Sequence, residues 1–197
     1  LKKYIVLEKL LSNPEGIEIF DADQDGLKDI LIFVQYDSPI LIHQTKKNIF
    51  ELVDSPEAQL SLIKQASLRS ITTANIDNTS GKELLIAQDN FARSLVFKDG
   101  QTWTIVDQYN AKNTENSISA VGVFKLDGDT DDPSIVLLDA RKGVLQILNR
   151  QEDMTYRFEK EIEIDQWNEN KHLKMLYAAI DGKAGKNILL FDSMKFA

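Results

Sequence analysis

One short pattern recurs four times along the 197-residue chain, and it limits what the chain can fold into. The copies are residues 19–32 (IFDADQDGLKDILI), 73–86 (TANIDNTSGKELLI), 123–137 (VFKLDGDTDDPSIVL) and 178–190 (AAIDGKAGKNILL). One aspartate is common to all four, at Asp23, Asp77, Asp127 and Asp181, so the intervals are 54, 50 and 54 residues. A fixed period of this size means that one supersecondary unit is repeated, each copy burying its apolar surface against the next.

Within each period the pattern is that of strands. Residues 29–36 form a nearly continuous apolar run, as expected for a strand covered on both faces. Shorter runs follow at 39–43 and 48–53, with a turn expected over 44–47. The second period repeats this at 83–88, 94–97 and 102–107, and the third at 135–139, 143–149 and 155–163. A short strand precedes each acidic loop, at 16–20, 69–74, 117–124 and 174–180. Four strands in about 50 residues, repeated, predict an all-β fold, a β-propeller of four-stranded antiparallel blades. The blades fall at approximately 16–54, 69–108, 117–163 and 173–197, with 1–10 as an outer strand of a preceding or closing blade. The segment 56–68 reads equally as one or two helical turns or as a long connection between blades.

The loops carry the chemistry. The first reads Asp21-x-Asp23-x-Asp25-Gly26-x-x-Asp29. Carboxylates on alternate residues of a tight turn converge on one point, and Gly26 admits the left-handed backbone that bends the chain back. The carboxylate of Asp29 and the main-chain oxygen of Leu27 can complete an oxygen shell, a donor set that suits Ca²⁺ rather than zinc or copper. An EF-hand begins in the same way but requires a glutamate at the twelfth loop position, which here is Ile32 inside a strand.

This loop, followed by Asp-Ile-Leu-Ile and recurring every 50 residues or so, resembles the FG-GAP/VCBS repeats that build integrin alpha-chain propellers and many bacterial surface proteins. The resemblance implies Ca²⁺ between the first two strands of a blade, held by Asp21, Asp23, Asp25, Leu27 and Asp29. It also implies a scaffold or protein-interaction role rather than catalysis, and an extracellular, periplasmic or cell-surface location. Such propellers usually have seven blades, so the four here are expected to belong to a larger ring; a closed four-bladed ring is the alternative.

The other copies are poorer. The second offers Asn75, Asp77, Thr79 and Glu83, and the third puts Lys125 at the first ligand position, leaving Asp127, Asp129 and Asp131 or Asp132. The fourth keeps Asp181 alone, with Lys183 placed to act as a built-in cation. Throughout, the same residues also serve as ordinary turn formers, capping their own backbone.

Other functions find little footing. There are no cysteines, hence no disulfides and no thiolate chemistry. A net charge of −8 disfavours nucleic acid and anionic membranes as partners, and no apolar run is long enough to insert into a bilayer. No Gly-x-Ser-x-Gly, Gly-x-Gly-x-x-Gly or Walker sequence occurs. Of the two histidines, His43 and His172, the first is expected to be a half-exposed strand residue. Trp103, Tyr109, Tyr156 and Trp167 suit a core better than a sugar platform, although a carbohydrate-binding or enzyme-linked propeller with a central or top-face pocket is the competing class. The partner, protein or glycan, is not encoded in any motif.

Overall fold

A computed structural model describes residue 7 and residues 12–35, 37–54, 61–77, 79–99, 101–125, 132–167, 173–178 and 187–192. Among the described residues there are fourteen strands and no helix. The first sheet comprises β1 (Pro14–Phe20), β2 (Asp29–Val34), β3 (Ile40–Lys46) and β4 (Ile49–Leu52). The second comprises β5 (Ile71–Ala74), β6 (Glu83–Gln88), β7 (Phe91–Lys98) and β8 (Thr102–Asn110). The third comprises β9 (Ile118–Phe124), β10 (Ser134–Asp139), β11 (Val144–Arg150) and β12 (Tyr156–Glu163). A final pair, β13 (Leu173–Ala178) and β14 (Asn187–Asp192), forms a two-stranded sheet among the described residues. All pairings are antiparallel and follow chain order.

The second strand of each full sheet explains the packing. Because side chains alternate faces along a strand, a continuous apolar run feeds two cores. In β6, Leu84 and Ile86 enter a core shared with Leu31, Phe33 and Leu41 of the first sheet, while Leu85 and Ala87 enter one shared with Ile135 and Leu137 of the third. In β10, Val136 and Leu138 face away from that second core, into a third that includes Met175 of β13. Successive sheets therefore pack face to face, and the two central ones are covered on both sides.

The ends of the stack differ. On the outer face of the first sheet, Ile32, Val34 and Ile42 are buried, but Ile17, Ile19 and Leu52 of the flanking strands are at least half exposed. Leu7 packs against this face; the remainder of the expected outer strand 1–10 lies outside the described residues.

One local expectation shifts and two gain detail. The turn expected over 44–47 is a two-residue turn at Lys47–Asn48, with Lys46 paired to Ile49. Asn48 takes a left-handed conformation at φ 63°, and its N–H donates to Gln44 Oε1 at 2.7 Å. Within 56–68, the described residues 61–68 form turns rather than a helix, and Ile63 plugs the first core. Of the four aromatics, Trp103 and Tyr109 are core residues, whereas Tyr156 and Trp167 are half-buried against the second and third cores. No helix among the described residues is long and apolar enough to cross a membrane.

Candidate metal centre

The first acidic loop is the connection between β1 and β2, and its own hydrogen bonds fold it. Asp21 accepts from the N–H groups of Asp25 (3.0 Å) and Gly26 (2.8 Å), and Asp25 accepts from Leu27 N–H at 2.7 Å. Gln24 and Gly26 both take positive φ, 62° and 91°, so the chain reverses within the loop. The result is convergence: one carboxylate oxygen from each of Asp21, Asp23 and Asp25 lies within 4.8 Å of the others. Three carboxylates at a partly exposed turn fit a hard divalent cation.

Asp29 stands apart from Asp21 and Asp25. As the first residue of β2 it is wholly buried, and its two oxygens are used to close the loop. One accepts from Ala22 N–H and the other from Gln44 N–H, both at 2.8 Å. Burial pushes its carboxyl above the ordinary range, against the lowering effect of those two N–H groups. Leu27 sits in the loop with its N–H bound to Asp25.

The same closure recurs in the second sheet. Glu83, first in β6, accepts from Ile76 N–H at 2.9 Å and is likewise raised chiefly by burial. The register makes the equivalence explicit: Asp29 pairs with Phe20, Glu83 with Ala74, Ser134 with Phe124 and Asn187 with Ala178. Asp77 Oδ1 accepts from Thr79 N–H (2.8 Å) and Oγ1 (2.6 Å), an ordinary turn. The expected third-loop ligands Asp127, Asp129 and Asp131 lie outside the described residues, as does Asp181. Asp132, at the edge of that loop, pairs with the buried guanidinium of Arg150 at 3.0 Å.

Neighbouring loops share one edge. Gln24 Nε2 of the first loop reaches Lys82 O (3.5 Å) and Glu83 Oε1 (3.4 Å) beside the second. The Tyr156 hydroxyl lies between Ile76 O of the second loop and Pro133 O of the third, at 3.5 and 3.1 Å.

His43 corrects an expectation. It is buried, not half-exposed, with Nε2 at 2.9 Å from Asp23 Oδ2 and 4.0 Å from Asp29 Oδ1. The cause is register: His43 lies one step beyond the Ile30–Ile42 pair, opposite Asp29. Reading the strands as a paired hairpin rather than one at a time would have found it. Its ring meets Phe97 edge-on at 6.0 Å, and it lines a cavity of about 420 Å³ together with Thr45, Glu51 and Asp54. No protein-family model matches the chain, and a search of curated proteins finds no significant match.

Proposed function

We propose that the chain is a calcium-associated β-propeller module of the FG-GAP/VCBS type, a non-catalytic scaffold for interaction with a protein or glycan outside the cytoplasm. In this reading each four-stranded sheet is a blade, and the acidic loops share one rim of the propeller. The observation that carries the proposal is the convergence of Asp21, Asp23 and Asp25 at the β1–β2 connection of a repeated meander. Like charges held that close repel one another unless a cation neutralises them. Asp21, Asp23 and Asp25, with the Leu27 main-chain oxygen, would hold Ca²⁺, and Asp29 would fix the loop around it. The ion would supply charge neutralisation and a rigid rim. The links through Gln24 and Tyr156 support a common rim for the first three loops.

Calorimetry on chelator-treated protein tests this. One Ca²⁺ should bind per chain, and Asp21→Ala and Asp25→Ala should each weaken binding at least about tenfold, since each removes a charged ligand. Absence of binding heat, with both variants indistinguishable from the parent, would overturn the proposal.

A further inference from the structure

We propose that Asp23, Asp29 and His43 form a second cation site, beneath the rim, that takes a transition-metal ion of the Zn²⁺ class. One ligand atom from each lies within 4.8 Å of the other two, and all three residues are mostly or wholly buried. The donor set is one imidazole nitrogen and two carboxylates, which favours Zn²⁺ over Ca²⁺ because calcium selects oxygen alone. The calcium reading is independent of this one except that both use Asp23.

Two observations beyond the cluster support the assignment. First, the imidazole is not needed to build the loop. The second sheet makes the same closure through Glu83 and Ile76, and there the register position equivalent to His43 is Val96, next beyond the Leu84–Leu95 pair. In the third sheet that position is Asn149, next beyond Ile135–Leu148. The histidine is thus found where the carboxylates are most complete. Second, open space adjoins the imidazole. His43 lines the cavity of about 420 Å³, and Glu51, its cross-strand partner, lines the same cavity. A water on that side would complete a set of four ligands.

The oxygens of Asp29 already accept backbone N–H groups, yet each retains a lone pair. Those N–H donors orient the carboxylate in the way outer-shell partners orient metal ligands elsewhere.

The test is calorimetric titration of chelator-treated protein with ZnCl₂ and, separately, CaCl₂. The parent should bind one Zn²⁺. His43→Gln, whose amide can still donate to Asp23, should weaken Zn²⁺ binding by roughly 10–100-fold and leave Ca²⁺ unchanged. Asp25→Asn should do the reverse, and Asp23→Asn should weaken both. Absence of Zn²⁺ binding by the parent, or a His43→Gln titration that superimposes on it, overturns the proposal. Loss of Ca²⁺ binding alone removes the calcium reading and leaves this one. If His43→Gln does not fold, the parent loaded with Co²⁺ decides: visible bands of a nitrogen-ligated, four-coordinate ion support the site, and the pale spectrum of the aquo ion sinks it.

Discussion

Leu84 and Leu85 are neighbours in β6, both fully buried, and they serve different cores. Truncating either to alanine removes three carbons from a packed interior. At about 0.8 kcal/mol per methylene, the transfer loss is about 2.4 kcal/mol. A residual cavity of roughly 40 Å³, at about 24 cal/mol per Å³, adds about 1 kcal/mol. Each variant should therefore lose about 3.4 kcal/mol, which for a domain of this size lowers Tm by roughly 7–14 °C. Because the two side chains contact different sheets, the double variant should lose nearly the sum, about 7 kcal/mol. Ile17→Ala on the outer face, where the side chain is 54% exposed, should cost less than half as much as either. Urea unfolding followed by circular dichroism measures all four. If one leucine variant costs under about 1 kcal/mol while the other is severe, only one face of β6 is packed, and the stacked-sheet description is wrong.

Two further perturbations address the loops and turns. Folding raises the carboxyl of Glu83 above its ordinary value of 4.5, so the folded state holds the proton more tightly and stability falls as pH climbs through that window. The deficit persists above it; Glu83→Gln, which keeps an acceptor for Ile76 N–H, should be more stable than the parent at pH 7–8, with the advantage vanishing near pH 4, in melts run across pH. Gly143 sits at φ 67°, and a Cβ there would collide with the Trp167 ring. Gly143→Ala should therefore cost more than the ~1 kcal/mol of a left-handed alanine alone, and near-ultraviolet circular dichroism should register the displaced indole.

Much of the fold was legible because the repeat and the alternation of strands act together. The apolar run beginning at Asp29 announced a strand covered on both sides, and β2, β6 and β10 are such strands. Turn positions were less legible. The polar stretch 44–47 looks like a loop, yet Gln44 is held in β3 by Asp29 and by its own bond to Lys28 O, and the reversal waits for Asn48. Facing is likewise set by pairing at the other end of the chain, where Ile188 and Leu190 of β14 pack against the third core beside Met175 and Leu176 is exposed. The burial of His43 is not legible one strand at a time, because its surroundings are set by a cross-strand partner 14 positions away, not by its sequence neighbours. The convergence of Asp21, Asp23 and Asp25 was legible from spacing alone, since alternate positions in a reversing loop have nowhere else to point.

The separation of Asp29 from Asp21 and Asp25 bears on how such repeats diverge. Spacing alone presents the four aspartates as one ligand set, and the hydrogen bonds give Asp29 a further job. Asp21 and Asp25 lie at the partly or fully exposed turn, where their charges are available to a cation. Asp29 is inside, where it satisfies two backbone N–H groups that would otherwise be buried without partners. A copy that loses its alternate carboxylates can keep its shape provided the first residue of its second strand still offers a suitable acceptor. The second sheet does so with Glu83, even though Asn75 and Thr79 replace two carboxylates of the first loop. Ser134 and Asn187, both neutral, occupy the same register position in the later copies. Closure of the loop and the exposed acidic cluster thus rest largely on different positions, so the second copy keeps the closure through Glu83 without the full cluster of the first.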